Sequence, residues 1–309
     1  MSALTKDHFA SPQALPVIAG GPWGTVRAQD YCIALASNSR ERFPIASRFT
    51  PKHLRPHVAT LYAFVRGAKD LADAPEWEGR RELMLDAWQE ALRQCFLGSA
   101  DHPVFVALRA MVKEFDLSIT AFNDIIAGCR LDLSVRRYPT FAGLLRYCDK
   151  SASPIGRIMM GIVGDNEAEH LRAADDFMLG IRLLGMCLDV GSDYSRRRIY
   201  LPEEDMLRFG VAEADIRQRR VTKQFKSLMA FEVARTKSYF LRGQPLVDFM
   251  PREARTEVQL VMEGCGVALG AIERAGFDVY SKRSQMHASD WVRTVGRVAR
   301  LRVANMTQW

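Results

Sequence analysis

Residues 182–202 read RLLGMCLDVGSDYSRRRIYLP, and the reading of the whole chain turns on them. The stretch sets Asp189 and Asp193 four apart, follows them with Arg196, Arg197 and Arg198, and stops at Pro202. On a helix, positions i and i+4 share a face one turn apart, so two ionised aspartates there repel unless a cation lies between them. The setting is apolar, with Leu183, Leu184, Met186, Cys187, Leu188 and Val190 around Asp189. A solvated face would explain an acidic pair taken alone. Acids embedded in an apolar helix need a partner that offsets the loss of water.

Working outward, residues 62–74, YAFVRGAKDLADA, repeat the arrangement with Asp70 and Asp73 three apart and Arg66 before them. Leu61, Tyr62, Phe64 and Val65 give this pair an apolar approach as well. Two facing helices with inward acids are expected to form a magnesium site. Such hard cations take carboxylate oxygens and keep waters and substrate phosphates as their other ligands.

The chain has 309 residues, 48% of them hydrophobic, enough for a substantial core in one large domain or two. Its net charge of +7 calls for an anionic partner, whether phosphate, nucleic acid or an acidic membrane surface. The arginines are spread over many predicted helices and match no nucleic-acid-binding module, so nucleic acid is not expected. Six cysteines without a C-x-x-C pair argue against a zinc site or a disulfide framework and suit a reducing, cytoplasmic setting. Residues 1–24 lack a basic start followed by a long apolar run and read as a loose lead-in. No window reaches the roughly 18 uninterrupted apolar residues of a membrane span.

From Thr25 the periodicity is helical nearly throughout, which predicts an all-α protein. Helices are expected over 30–38, 53–72, 78–97, 103–115 with Asp101 as cap, 118–135, 141–163 with a kink at Pro154 and Gly156, 165–192, 212–219, 221–241 and 251–275. Residues 203–211 read as a turn. Residues 25–284 are expected to form a single helical domain around a central apolar cavity, and 285–309 a basic amphipathic tail. In that tail Trp291, Val295, Val298 and Leu301 recur on successive turns beside Arg293, Arg297 and Arg300. Such a helix either packs on the bundle or lies on the inner face of a membrane.

Acidic helices, clustered arginines and an apolar interior are what ionisation of an allylic diphosphate requires. Magnesium and arginine hold the leaving diphosphate, and an apolar, aromatic-lined cavity keeps the carbocation from bulk water. Phe43, Phe49, Tyr62, Phe64 and Tyr147 are candidates to line it. The residues resemble the squalene and phytoene synthases over about Tyr31 to Arg283, most clearly in RFPIASRFTPKHLRPHVATLYAFVRGAKDLAD, YCDKSASPIGRIM and DVGSDYSRRRIYLPEEDMLRFGV. Within that family, FPIAS, the S-A-x-P-x-G turn and L-P-x-E-D are most similar to the bacterial hopanoid-pathway hydroxysqualene synthases, which convert presqualene diphosphate by water capture. The resemblance implies a single α-helical isoprenoid synthase domain, Mg2+ as cofactor, an isoprenoid diphosphate as substrate, and partner enzymes of the same pathway. It places the first acidic motif on Lys69, Asp70 and Asp73 and the second on Asp189 and Asp193. Diphosphate-binding residues fall on Arg66, Arg196, Arg197 and Arg198, and the family tyrosines on Tyr62, Tyr147 and Tyr200. Asp73 and Asp189 with Tyr62 and Tyr147 are then the catalytic candidates, and Phe43 joins the substrate-binding ones.

The sequence also departs from the family. Lys69 replaces the leading aspartate of the first motif, and Arg182, Gly185 and Leu188 stand where a glutamine, an asparagine and a polar or basic residue belong. One magnesium ligand is lost from the first helix and another from the second. Lys69 and Arg182 are expected to replace that charge as a direct diphosphate clamp, although an ammonium cannot bridge phosphate oxygens as magnesium does. The enzyme reading therefore stands beside a second, a non-catalytic family member that keeps the cavity and binds a lipid or a partner protein.

Overall fold

The computed structural model describes residues 21–39, 46, 47, 49–281, 294, 296 and 298, and all of their regular structure is helical. The helices are α1 (Thr25–Ser37), α2 (Arg55–Asp73), a 3-10 turn (Pro75–Trp77), α3 (Arg81–Phe96), α4 (Pro103–Phe115), α5 (Ile119–Ser134), α6 (Phe141–Ser151) and α7 (Ser153–Ile162). They continue as α8 (Ala168–Leu188), α9 (Val190–Ser195), α10 (Glu203–Phe209), α11 (Glu213–Arg217), α12 (Lys223–Gly243), α13 (Leu246–Phe249) and α14 (Arg252–Arg274). The expected all-α class holds. The chain divides into two compact units, one of residues 1–134 with 154–166 and one of 135–153 with 167–309.

In the first unit α2 packs on α1, α3, α4 and α5. Its alanines Ala59, Ala63, Ala68 and Ala72 are buried and leave room for neighbouring helices to come close. Phe64, wholly buried, meets Trp88, Phe105 and Phe122 at centroid distances of 5.8, 6.1 and 5.3 Å. Phe64 is thus part of this aromatic core. Trp88 lies against Gly67, where a Cβ would stand 2.5 Å from the indole ring. Helix α4 is capped by His102, not by the expected Asp101: its Nδ1 accepts from Val104 N at 3.3 Å. Burial lowers the His102 pKa to about 4, so the ring stays neutral and keeps that acceptor.

The second unit is organised on the contact between α8 and α12. Two glycines make it possible. A Cβ at Gly243 would stand 2.7 Å from Phe177 N, and one at Gly180 would stand 2.9 Å from the Phe240 ring. Helix α10 was expected as a turn. It forms because Glu203, Glu204 and Asp205 occupy its first turn, where the positive end of the helix dipole favours acids, and Gly210 ends it at φ +66°. Asp205 then reaches α12, accepting from Arg235 Nη1 at 2.7 Å, and the same nitrogen lies 3.0 Å from Glu232 Oε2. Arg235 also sits 3.9 Å over the Phe141 ring. Two buried carboxyls share one guanidinium, and burial, with Asp205 adding to it, pushes Glu232 up to about 7 although Arg235 opposes this.

The predicted 165–192 helix is broken at Asp189, whose φ of −100° and ψ of 10° separate α8 from α9. The kink expected near Pro154 lies at Ala152, between α6 and α7. Of the tail, Thr294, Gly296 and Val298 are helical, and Thr294 and Val298 are 1% and 4% exposed. Val298 is therefore buried, as the first of the two placements set out above requires. Trp291, Arg293, Val295, Arg297, Arg300 and Leu301 lie outside the described residues. Among the described residues no helix is long and apolar enough to cross a membrane.

Gly243→Ala should cost about 2–3 kcal/mol in urea unfolding because backbone, not a mobile side chain, blocks the new methyl. Gly185→Ala, with nothing within 4 Å of its Cβ position, should gain about 0.5–1 kcal/mol. Glu232 holds its proton more tightly folded than unfolded. Its contribution is complete below the ordinary carboxyl pKa and is lost as pH rises towards 7. Stability of the wild type relative to Glu232→Gln should therefore fall by roughly 2–3 kcal/mol between pH 5 and 8, measured by urea unfolding at each pH.

Candidate functional site

Each unit carries one of the two acidic motifs. In the first unit, Tyr62, Arg66, Lys69, Asp70 and Asp73 recur at helical spacing on the face of α2 turned away from Phe64 and Ala68. Tyr62, Asp70 and Asp73 are half-buried, while Arg66 and Lys69 are exposed. Arg66 Nε donates to both carboxylate oxygens of Asp70, at 2.9 and 3.0 Å. A solvent-exposed pair four apart on a helix is worth only about 0.3–0.5 kcal/mol. Asp70 and Arg66 can therefore exchange each other for a metal or a phosphate at small cost. Lys69 and Asp73 are one turn apart, so the lysine lies on the acidic face.

In the second unit, Asp189 and Asp193 keep their one-turn separation across the break between α8 and α9, because Asp193 N–H still donates to the Asp189 carbonyl at 2.7 Å. Both are half-buried. Helix α9 then ends in a Schellman turn. Arg198 N–H bonds the Asp193 carbonyl at 2.9 Å, Arg197 N–H bonds that of Tyr194 at 2.8 Å, and Arg197 adopts φ +64° where glycine is usual. This turn separates the three arginines. Arg198 is 5% exposed, whereas Arg196 and Arg197 are on the surface. The returning strand of chain is held by residues 136–141. Ile199 N donates to the Arg136 carbonyl at 3.0 Å, and Glu203 N to that of Tyr138 at 2.9 Å.

Those bonds bring Tyr200 against Tyr138 and Tyr147. Tyr200 stacks on Tyr138 and on Tyr147 with centroids 5.9 and 5.6 Å apart, Tyr138 and Tyr147 are tilted to each other at 5.5 Å, and all three are buried. Arg182, on α8 about two turns before Asp189, lies 5.2 Å from both the Tyr147 and Tyr200 rings and donates to the Tyr147 hydroxyl. Guanidinium planes favour such stacking on aromatic faces. Gly185 opens a space beside α8, and Leu188 is half-buried. Tyr138 belongs to this cluster and the sequence reading missed it. Its only signal was the Tyr-Pro pair of a loop, which periodicity does not mark. Phe43 lies outside the described residues.

Among the described residues no group of three or more His, Cys, Asp or Glu side chains stands together as a metal cage. Each motif offers a carboxylate pair. Magnesium commonly binds through one or two carboxylates and fills its octahedron with waters and phosphate oxygens. The donor set therefore suits a cation that shares a diphosphate, and not one held by protein alone.

The squalene/phytoene synthase family model matches residues 36–292. The phytoene synthase of Arthrospira platensis is 29% identical over 268 residues, covering 82% of this chain and 87% of that protein. Among solved structures, squalene synthase HpnC from Alicyclobacillus acidocaldarius is 34% identical with a TM-score of 0.76, covering 81% of this chain and 94% of that one. A dehydrosqualene synthase solved with a ligand superposes with a TM-score of 0.83 at 21% identity, covering 91% of this chain and 98% of that one, a likeness of fold. With the isoprenoid synthase fold, the α2 acidic face and the Asp189–Asp193 turn in place, this chain belongs to the squalene/phytoene synthase family.

Proposed function

We propose that the protein ionises a C15 or C30 isoprenoid diphosphate, and that its reaction is the conversion of presqualene diphosphate to hydroxysqualene. The observation that carries this reading is the Asp189–Asp193 turn, which keeps two half-buried carboxylates one turn apart at the point where α8 loses its continuity. Asp70, Asp73, Asp189 and Asp193 are the residues to hold magnesium. When bound with the diphosphate, that cation neutralises the charge that builds on the leaving group. Arg66, Lys69, Arg182 and Arg198 add positive charge that does not depend on metal, and Arg196 and Arg197 supply further charge from the surface. Tyr62, Tyr147 and Tyr200 offer electron-rich faces to the allylic cation, as aromatic rings do to other cations. A water oxygen then forms the new C–O bond, and its proton leaves with the diphosphate.

A second reading has its own support. Arg182 already occupies the faces of Tyr147 and Tyr200, and Arg66 already bonds Asp70. A family member that binds a lipid or partner protein without turnover would tolerate both. Purified protein incubated with farnesyl diphosphate and with presqualene diphosphate, each with and without magnesium, separates the two readings: turnover of neither substrate rejects the enzyme.

Asp189→Ala and Asp193→Ala should each lower turnover by about two orders of magnitude or more while circular dichroism keeps its helical signal. Normal activity in both rejects the metal assignment. Titration calorimetry of premixed magnesium and inorganic diphosphate into the protein should register binding that metal-free diphosphate does not give, and the two variants should lose it.

Arg182→Gln and Lys69→Asp distinguish clamp from relic. If these cations hold diphosphate directly, each variant should raise the diphosphate dissociation constant by about tenfold or more, as the loss of a charge-assisted hydrogen bond does. If they merely displaced metal ligands, the same variants should tighten magnesium binding.

A further inference from the structure

The second unit carries a basic surface built mainly from cations that the site described above does not use. Residues 217–226, RQRRVTKQFK, hold five cations and no acid, and Arg217, Arg219, Arg220, Lys223 and Lys226 are all exposed. Helix α11 packs on α9, and Arg137 ties the two ends together by donating to the Arg197 carbonyl at 2.8 Å and to Glu213 at 2.6 Å. Exposed Arg196 and Arg197 therefore adjoin the same surface. The nearby acids are already engaged. Glu213 is bonded by Arg137, which holds its carboxyl below the usual range, and Asp215 accepts from Ala212 N at 3.0 Å and lies 3.5 Å from Arg220.

Folding stability does not account for Lys223, Lys226, Arg197 and Arg219. Lys223 and Lys226 occupy the first turn of α12, which contains no acid, at the positive end of the helix dipole, where cations are unfavourable. Arg197 and Arg219 stand at φ +64° and +52°, in the left-handed region where glycine or asparagine closes a helix with less strain. Like charges gathered in one place also repel. Each arrangement opposes the folded state, and each places charge on the same outer surface.

We propose that this α9–α11–α12 surface docks the protein on an anionic lipid bilayer. The choice of a bilayer over other polyanions rests on the proposed isoprenoid function, because a hydrocarbon product cannot leave into water and needs lipid beside it. Basic residues at an anionic membrane are attracted independently of sequence, and the attraction is screened by salt within a Debye length. The surface, and not the stripe containing buried Val298, is then the membrane contact.

The full chain should co-sediment with phosphatidylglycerol-containing vesicles at low salt, release at high salt, and ignore phosphatidylcholine vesicles. The triple variant Arg217→Gln, Lys223→Gln, Lys226→Gln should weaken that partitioning by about a hundredfold with unchanged helicity. A parallel variant, Arg293→Gln, Arg297→Gln, Arg300→Gln, should bind as the wild type does. Equal binding by the first variant, loss confined to the second, or tighter binding of duplex DNA than of vesicles at the same salt overturns the proposal. Turnover of both variants in detergent solution is measured separately. Salt-sensitive vesicle binding without turnover keeps the docking surface and rejects the enzyme, whereas turnover without binding does the reverse.

Discussion

With no side chain at Gly243, α12 comes so near α8 that a methyl group there would stand 2.7 Å from Phe177 N. Gly180 repeats the arrangement from the other helix, under Phe240. This approach fixes two helices, one bearing candidate site residues and the other a buried ion cluster. Arg182 sits on α8 and Asp189 just past its end, and Glu232 and Arg235 sit near the middle of α12. Arg235 in turn gathers Asp205 and the Phe141 ring, so the chain on either side of the Tyr138 and Tyr200 loops is tied to α12. The tyrosine stack is thus held by elements that are themselves fixed by two glycines.

The sequence shows some of these features and hides others for physical reasons. Helical periodicity and the acidic face of α2 are legible because burial on one side repeats at 3–4 residues. The break at Asp189 is not, since the bond from Asp193 N to the Asp189 carbonyl keeps the i to i+4 spacing that a reader of patterns uses. The ends of α9 and α11 are hidden for another reason: each closes on an arginine in the left-handed region, and the usual signal of a closing glycine is missing. By pattern alone the acids of Glu203–Asp205 read as part of a turn. They are the stabilising first turn of α10, and one of them is also half of a buried ion pair that no local pattern foretells.

The two cationic departures from the family motifs are not equivalent. Lys69 lies exposed on a helix face beside Asp70 and Asp73, on a flexible stem that moves its charge with little restriction. Arg182 lies against two tyrosine rings and is bonded to a phenol, so its position is restricted. A fixed fork can meet two phosphate oxygens without further loss of side-chain freedom, whereas a lysine has to be ordered when the ligand arrives. If either cation substitutes for a metal ligand, the geometry favours Arg182.

The run Arg196, Arg197, Arg198 reads as one basic cluster, yet the Schellman turn gives its members different roles. A left-handed residue at Arg197 reverses the chain so abruptly that Arg198 enters the interior at 5% exposure while the two before it remain in water. A buried guanidinium acts in a low-dielectric setting, where its attraction for an anion is strong and nearly insensitive to salt. An exposed one is screened, and contributes mainly as one of many charges on a surface. On the proposed function and the proposed docking, the same three letters would serve two kinds of anion: Arg198, buried, a single diphosphate inside the fold, and Arg196 and Arg197, exposed, the outward-facing basic surface of α11 and α12.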